Sequence, residues 1–380
     1  MAAVHRLMIA AVASGAALLM ASCAGGGADR ADDCAGDTLT HHASLLTLVD
    51  CGDRVVAEIA DPWHGGATLH RYVLVGRDAD VAADEAAGAE VVRVPLQRSV
   101  VYSAVHTAAI AEIGAVNAIA GGADAMYFAA GDTVAALVKS GRIADIGSSM
   151  QPSVERVIDI NADAVLLSPY ENTGHGVIAS AGVPIIDMAD YMENTPQGRA
   201  EWLLLLGELY GCREEAKAIY DKVVADYNAL KAKAAAAGGR RPPVLMEMPQ
   251  RGVWYAPAGD SFMSHMISDA GGVNPWADTE GSGSVQLDVP AVIDRAEEAD
   301  VWLVRTFGYD VTLPLLADAS TLVTRVRAYQ TGNVYGCNTA TAAIFNDIAF
   351  HPERVLADFV AIFHPQVMPG YTPRYYRKAQ

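Results

Sequence analysis

The fold is decided by residues 195–239, TPQGRAEWLLLLGELYGCREEAKAIYDKVVADYNALKAKAAAAGG, which carry the longest helical signal in the chain. Thr195 is a favourable N-cap, Pro196 fits the first helical position, and Gly211 ends a first helix. From residue 213 to 237, apolar residues recur at spacings of three and four, which places them on one stripe of a second helix. At about 1.5 Å per residue this second helix is roughly 37 Å long, enough to cross a whole domain.

The sequence on both sides of this helix is typical of a parallel α/β sheet, because short apolar runs alternate with helical segments. The runs are residues 91–94, 100–102, 118–120, 164–168 and 184–187 before the helix, and 244–247, 253–255, 301–304 and 333–335 after it. Two motifs recur in the same order: GAVN at 114–117 returns as GGVN at 271–274, and VIDINADAVL at 157–166 resembles VIDRAEEADVWL at 292–303. The pattern predicts an α/β protein with two Rossmann-like lobes joined by a single long α-helix. A single α/β domain with a long surface helix is the alternative.

The first 23 residues are predicted to be a lipoprotein signal peptide. An apolar run follows Arg6 and ends in LMASC at 19–23, the pattern of a bacterial lipobox in which Cys23 is lipidated. Cleavage by the ordinary signal peptidase and an uncleaved anchor are the alternatives. The remaining chain is predicted to form a flexible tether at 24–53, an N-terminal lobe at 54–195, a helical linker at 196–238 and a C-terminal lobe at 239–380. Within the N-terminal lobe, residues 54–77 alternate in polarity around Gly65-Gly66 and predict a β-hairpin.

Charge and motif content exclude several functions. A net charge of −18 over 380 residues argues against a nucleic-acid partner, which needs a basic surface. The chain has no nucleophile elbow, phosphate-binding loop, dinucleotide fingerprint or zinc-protease motif, so we expect no enzyme. We also predict no cluster of His, Cys or carboxylate side chains that would hold a bare metal ion. Four cysteines besides Cys23 match no zinc spacing, and one or two disulfides of open pairing are expected in an exported chain: Cys34, Cys51, Cys212 and Cys337.

Candidate ligand-binding residues lie where predicted strands pass into loops. Aromatic residues share this position, and two arginines are available for an anionic group of a ligand. Each aromatic side chain could instead pack in the core. If they converge on the cleft between the lobes, they form a wall for a large, flat, partly apolar ligand. The predicted set is Arg98, Tyr102, Tyr127, Tyr170, Trp254, Trp276, Arg305 and Phe307.

Several motifs together carry a family resemblance over residues 54–377. They are DPW at 61–63, QPSVERVI at 151–158, ADYME at 189–193, GRAEW at 198–202, GVWY at 252–255, DAGG at 269–272, VLAD at 355–358, FHP at 363–365 and YY at 375–376. On these residues the chain resembles the substrate-binding lipoproteins of ABC importers for metal chelates, in the form found in Bacteroides-type bacteria. That group includes vitamin B12, ferric-siderophore and haem binding proteins.

The resemblance implies a monomeric periplasmic protein, anchored by the lipid on Cys23, that binds a metal chelate and delivers it to an ABC permease and its ATPase. Among the chelates we favour a cobalamin-type corrinoid over a ferric siderophore or haem. In the family an acidic residue on each lobe docks into arginine pockets of the permease. The matching residue of the first lobe is Glu155; in the second lobe the equivalent position is Pro290, with Asp288 two residues earlier, so either Asp288 takes over the contact or docking is asymmetric. An enzyme or metal-insertion factor on the same scaffold, and a structural lipoprotein without a ligand, are the alternative functions.

Overall fold

The computed structural model of the protein describes residues 34, 36–80, 88–128, 131–172 and 174–380, except for the side chains at 127, 131 and 132. The predicted signal peptide, including Cys23, lies outside these residues. The elements up to residue 187 are β1 (Asp37–Thr38), β2 (Leu46–Asp50), β3 (Arg54–Ala60), β4 (Thr68–Gly76), β5 (Glu90–Val94), β6 (Ser99–Val101), α1 (Ala104–Glu112), β7 (Ile119–Gly122), α2 (Gly131–Lys139), β8 (Ala144–Asp145), β9 (Gly147–Ser148), β10 (Gln151–Pro152), α3 (Val154–Ile160), β11 (Ala164–Leu167) and β12 (Ile185–Asp187).

The remaining elements begin with the two helices predicted from residues 195–239. They are α4 (Pro196–Tyr210), α5 (Arg213–Ala236), β13 (Val244–Met246), β14 (Val253–Pro257), α6 (Phe262–Asp269), β15 (Ser284–Asp288), α7 (Val289–Ala296), β16 (Val301–Thr306), α8 (Leu313–Ala319), α9 (Arg327–Gln330), β17 (Val334–Asn338), α10 (Ile344–Asp347), α11 (Pro352–Phe363) and β18 (Arg377–Lys378). The strands predicted from apolar runs are observed with ends shifted by no more than three residues.

The linker is helix α5, because its two halves belong to different cores. Helix α4 begins at Thr195, whose side chain accepts a hydrogen bond from the Gly198 N–H, and it ends at Gly211 with φ of 68°. Ala216 and Tyr220, in the first half of α5, pack with α4 in one core, whereas Ala234 near its end packs in a second core. Helix α4 thus packs in the first core, and α5 contributes to both cores. Within the described part of the chain, no helix has the length and apolar character of a membrane span.

The first lobe is built around a parallel sheet with strand order β12-β11-β6-β7-β8. Its central strands are buried on both faces, as their continuous apolar composition indicates. Val101 and Leu166 contribute to the core that contains α4, whereas Val100 and Val165, on the opposite face, pack with Val157 of α3. The carboxyl ends of β6 and β11 therefore lie side by side at one edge of this sheet.

The second lobe repeats this plan with parallel strands β13, β16 and β17 and the short antiparallel strand β18 at the edge. Leu303 faces the core shared with α6, α11 and the second half of α5. Its neighbour Trp302 faces the opposite core, with α7 and β14. The predicted α/β fold, two Rossmann-like lobes joined by a long helix, is confirmed.

The second part of the predicted tether at 24–53 is not flexible in the structure, because it contains strands β1 and β2. Strands β1 and β2 join the predicted hairpin and β5 in a sheet of order β1-β2-β3-β4-β5, with Leu46 and Leu48 buried. A disulfide links Cys34 to Cys51, with their Cα atoms 5.8 Å apart, while Cys212 and Cys337 are free. Residues from 37 onward are therefore structured, and the other domain limits stay a prediction.

Two buried carboxylates fix residues 41–45 against α4. Glu201, fully buried, accepts hydrogen bonds from the backbone N–H groups of residues 41, 42 and 43 and from the Tyr220 hydroxyl, at 2.7–3.1 Å. Glu193 accepts from the N–H groups of residues 44 and 45, from the Ser44 hydroxyl and from the Trp202 indole N–H, at 2.7–3.0 Å. Backbone donors thus surround both buried negative charges and offset the cost of removing them from water.

Side chains of the two lobes meet at His351, which precedes α11. Its Nε2 lies 2.6 Å from Glu112 Oε2 of α1, and its Nδ1 lies 3.0 Å from Glu353 Oε1. Burial lowers the pKa of His351, but the hydrogen bonds to these two carboxylates outweigh burial and raise the pKa to about 9.

This shift predicts a pH-dependent stability. Because the folded-state pKa of His351 exceeds its ordinary value of 6.5, the stabilisation is fully present below about pH 6.5 and is lost as the pH rises towards 9. The difference in unfolding free energy between the native protein and His351→Gln should therefore shrink by about 1–3 kcal/mol between pH 6 and pH 9. Denaturant titrations at each pH measure this difference in unfolding free energy. The control is His265→Gln, which changes an exposed His–Asp pair. A difference that is constant with pH would contradict the raised pKa of His351.

Candidate functional site

A cleft of about 890 Å³ opens where three strands of the second lobe end. Glu247 directly follows β13, Phe307 follows β16 and Thr339 follows β17, and all three residues line the cleft. This convergence is expected, because the carboxyl ends of parallel strands lie at the same edge of a sheet. Phe262 also lines the cleft, and the guanidinium of Arg199, at the start of α4, lies 5.5 Å from its ring centroid. The start of α4 therefore lies beside the cleft, whose lining residues all fall between 247 and 345.

An ion pair lies at the edge of this cleft. Arg305 Nε donates to Glu247 Oε1 at 2.7 Å, and the guanidinium lies 5.9 Å from the Phe345 ring centroid. Burial lowers the pKa of Arg305, but the Glu247 carboxylate more than compensates and raises it. Glu247 has a φ of 65°, in the left-handed region that non-glycine residues rarely adopt, so its position beside Arg305 is held against local strain. The Arg305 charge is thus already balanced before a ligand binds.

Aromatic side chains line the cleft and remain accessible. The exposed fraction is 73% for Phe307, 50% for Phe345, 49% for Tyr309 and 42% for Tyr255. Exposed aromatic side chains around a concave surface are typical of a site that binds a large ligand through apolar contact. Phe307 and Arg305, both predicted from sequence, thus lie in the same cleft, whereas the role of Glu247 was not predicted.

Two predicted residues of the first lobe lie at the corresponding edge of its sheet. Tyr102 follows β6, and Tyr170 lies three residues after β11 with 64% of its surface exposed. The Tyr170 ring centroid is 6.4 Å from that of Tyr191, whose hydroxyl donates to the Pro169 carbonyl. The Tyr102 hydroxyl is buried without a hydrogen-bond partner among the described residues, and burial raises its pKa to about 12.

Three other predicted residues lie elsewhere. Trp254 is fully buried: its indole N–H donates to the Met246 carbonyl at 2.8 Å, and its ring stacks on Trp302. Trp276 is likewise in the core. Arg98 precedes β6, at the amino end of the strand, where its Nε donates to the Ile160 carbonyl at 2.6 Å. The side chain of Tyr127 lies outside the described residues.

The two predicted docking residues are both exposed at helix starts. Glu155 lies in the first turn of α3, next to the N-cap Ser153. Asp288 is itself the N-cap of α7, where its Oδ1 accepts a hydrogen bond from the Ala291 N–H at 2.8 Å. Pro290 occupies the position in α7 that Glu155 occupies in α3, two residues after the N-cap. The Asp288 carboxylate is exposed, but it also has a capping role.

One cluster of metal-ligating side chains was not predicted. His70, His175 and Asp187 each place a ligand atom within 4.8 Å of the other two. These residues come from β4, from a loop and from the end of β12, so no short motif connects them. The sequence expectation that no such cluster holds a bare metal ion stays a prediction, although these three side chains lie close together.

Two lobes, a helical linker and a cleft at strand ends define a bilobed protein of the ligand-binding class. The chain belongs to the periplasmic binding protein family, whose model matches residues 100–341. The match begins in β6 and ends after β17, so it includes both parallel sheets and the linker. Proteins of this family bind substrates, which is consistent with the expectation that the protein is not an enzyme.

The chain is similar to several proteins of known sequence or structure. An uncharacterized lipoprotein of Methanocaldococcus jannaschii is 26% identical over 329 residues, which are 82% of this chain and 77% of that protein. A cobalamin-binding protein of Halobacterium salinarum is 28% identical over 199 residues, 51% of this chain and 52% of that protein. A periplasmic heme binding protein of Pseudomonas aeruginosa, at 16% identity, superposes with a TM-score of 0.59 over 75% of this chain and 98% of its own. At that identity the structural likeness shows the fold alone.

Proposed function

We propose that the protein is the substrate-binding lipoprotein of an ABC importer and that it captures a metal chelate in the cleft of about 890 Å³. The observation that carries this proposal is the group of exposed aromatic rings around the cleft, at the carboxyl ends of β13, β16 and β17. The protein would act as a monomer held at the periplasmic face of a membrane by a lipid on Cys23. It would pass the chelate to a permease and its ATPase through Glu155 and Asp288.

The charge of the cleft favours a chelate without anionic groups, and among such chelates we propose a cobalamin-type corrinoid over haem, whose propionates are anionic, and over a ferric siderophore. Arg305 is neutralised by Glu247, and Arg98 is not in the cleft, so neither predicted arginine is free to pair with an anionic ligand. Among the described lining residues, Arg251 is the remaining cation. A corrinoid instead carries uncharged amide groups, which hydroxyl and amide side chains such as Ser284, Thr339 and Gln250 can bind.

The alternative functions predict different behaviour. An enzyme or metal-insertion factor on the same scaffold would depend on a titratable residue in the cleft and not on Glu155. A structural lipoprotein without a ligand would show no saturable binding of any chelate. The cobalamin-binding name of the Halobacterium relative supports the binding function, although the match covers half of that protein.

Calorimetric titration of the full-length protein in detergent with cyanocobalamin, a ferric hydroxamate and haem tests the proposal. We expect one-to-one, submicromolar binding of cyanocobalamin, weakened about tenfold by Phe307→Ala because an exposed aromatic contact is lost. Ile158→Ala, which truncates an exposed apolar residue on α3, is the matched control and should leave the affinity unchanged. Absence of binding by all three chelates would contradict the proposal, and tight binding of haem alone would overturn the corrinoid assignment.

A further inference from the structure

A second candidate site lies in the first lobe, where the sheet of strands β1 to β5, here called the N-terminal sheet, meets the edge of the parallel sheet. His70 lies on β4, Asp187 ends β12, and His175 lies in the loop between β11 and β12. The Asp187 carboxylate lies between the imidazoles: Oδ2 is 3.1 Å from His70 Nδ1, and Oδ1 is 2.9 Å from His175 Nε2. The two imidazole centroids are 6.1 Å apart. The two imidazoles thus pair with different oxygens of one carboxylate, and the three side chains come from three separate segments.

The separations match those around a small tetrahedral metal ion. Zinc binds His nitrogen and carboxylate oxygen at about 2.0–2.2 Å, which places neighbouring ligand atoms of a tetrahedron roughly 3.3 Å apart. The separations of 3.1 Å for His70 and 2.9 Å for His175, each to a different Asp187 oxygen, are slightly shorter than this value, and one ligand atom from each residue lies within 4.8 Å of the other two. Coordination would replace the two imidazole–carboxylate hydrogen bonds with bonds from the same atoms to a shared ion. Two imidazoles and one carboxylate form a donor set that suits zinc and related first-row divalent ions.

Neighbouring side chains orient these ligands as in known metal sites. Glu90 Oε2 lies 3.3 Å from His70 Nε2, so the imidazole nitrogen that faces away from Asp187 has a carboxylate partner. A metal-bound histidine commonly donates its second N–H to such a carboxylate. Tyr72 stacks on His70 with ring centroids 4.4 Å apart, and its hydroxyl accepts a hydrogen bond from the Asp187 N–H and donates to the Ile185 carbonyl. The positions of His70 and Asp187 are thus fixed without a ligand.

One side of the cluster is open to solvent. A cavity of about 430 Å³ is lined by His70, Glu90 and His175, and it shares no lining residue with the aromatic cleft. Asp187 is buried, with 2% of its surface exposed, whereas both imidazoles reach the cavity. An ion could enter from this side and keep a water molecule as its fourth ligand.

We propose that His70, His175 and Asp187 form a binding site for a divalent first-row transition metal ion of the zinc class, with Glu90 supporting His70. The ion would join β4, the loop at 174–176 and the end of β12, and so fasten the N-terminal sheet to the parallel sheet of the first lobe. This site is independent of chelate capture in the cleft. The competing interpretation is an ion-pair cluster in which protonated imidazoles balance Asp187 and Glu90.

Zinc binding to the full-length protein, first stripped with EDTA, distinguishes the two interpretations. Competition with a chromogenic chelator should show one equivalent of Zn²⁺ bound with submicromolar affinity, since three protein ligands bind the ion directly. His70→Ala and His175→Ala should each weaken the affinity at least about 100-fold, because a direct ligand is lost. His64→Ala is the matched control, since His64 forms an exposed pair with Asp61 outside the cluster, and its zinc affinity should not change.

Spectroscopy of the cobalt-substituted protein identifies the ligands directly. Co²⁺ added alone should give the visible absorption of a tetrahedral site, and the His175→Ala variant should lose it. Circular dichroism shows whether each variant is folded; if the His70 variant is unfolded, the His175 variant in its exposed loop still provides the test. Absence of stoichiometric zinc binding by the native protein, or tight binding retained in both histidine variants, would overturn the proposal in favour of the ion-pair cluster.

Discussion

Replacing Glu155 with arginine is expected to reduce chelate import at least about tenfold while the dissociation constant of the chelate changes less than twofold. Glu155 is exposed at the start of α3, and its side chain is absent from the lining of the cleft. Reversal of its charge would place a cation opposite the arginine pocket that we propose for the permease. Like charges at an interface cost several kcal/mol, whereas ligand contacts in the cleft are unaffected.

The matched control is Asp159→Arg, which makes the same change of charge on an exposed residue of the same helix, at its opposite end. Uptake of labelled chelate into cells or proteoliposomes that contain the permease measures import, and calorimetry measures affinity. Equal losses of import for Glu155→Arg and Asp159→Arg would show a general charge effect and contradict a specific contact at Glu155.

The second lobe needs a different substitution, because Asp288 also caps α7. Asp288→Ser removes the charge but retains a side-chain oxygen that can accept the Ala291 N–H, so helix stability is largely preserved. Reduced uptake by this variant would support docking by both lobes. Unchanged uptake would instead support asymmetric docking through Glu155 alone, the alternative that arises because Pro290 occupies the equivalent position in the second lobe.

The lobes and the linker could be predicted because they depend on local patterns. Buried parallel strands are continuous apolar runs. The apolar stripe of α5 is continuous along the helix, although its two halves pack in different cores. The repeated motifs at 157–166 and 292–303 correspond to helix-to-strand units, α3 with β11 and α7 with β16, in the two lobes. Each signal lies within about 20 consecutive residues, so the sequence alone identifies it.

The orientation of side chains on a strand is harder to predict. In β14 the run Val253, Trp254, Tyr255 is apolar or aromatic throughout, so a strand with period two could bury either ring. Pairing with β15 places Trp254 opposite Leu287 and Tyr255 opposite Gln286. Trp254 therefore enters the core, and its neighbour Tyr255 lines the cleft. Only this pairing, between residues more than 30 apart, decides which ring is available to a ligand.

Long-range contacts also explain why residues 41–45 were predicted to be a flexible tether. The local sequence HHASL has no clear periodicity, and its backbone hydrogen bonds are made to Glu193 and Glu201, about 150 residues further along the chain. In the sequence, Glu201 has the appearance of an ordinary charged residue of a helix. The His70, His175 and Asp187 cluster escaped prediction for the same reason, since its members are distant in sequence and lie in unrelated elements.

Replacing Glu201 with alanine is expected to destabilise the protein by about 3–5 kcal/mol, the cost of removing one partner from a buried charged network. The partly buried backbone N–H groups of residues 41, 42 and 43 would lose their buried acceptor. Glu201→Gln should lower the free energy of unfolding by less than Glu201→Ala. The amide keeps one accepting oxygen, although its NH₂ group faces backbone donors. Denaturant titration measures the loss, and Glu215→Ala, on the exposed face of α5, is the control.

Hydrogen exchange separates this network from a general loss of packing. In the native protein the amides of residues 41–43 should be protected nearly as well as those of β2, because the buried Glu201 carboxylate binds them all. In Glu201→Ala their protection should fall to that of an exposed loop, whereas amides of β11 in the parallel sheet change only with global stability. Unchanged protection at 41–43 would show that packing, and not the carboxylate, holds this segment. The expected selective loss would mean that a single buried charge on α4 turns a stretch with no intrinsic structure into part of the first lobe.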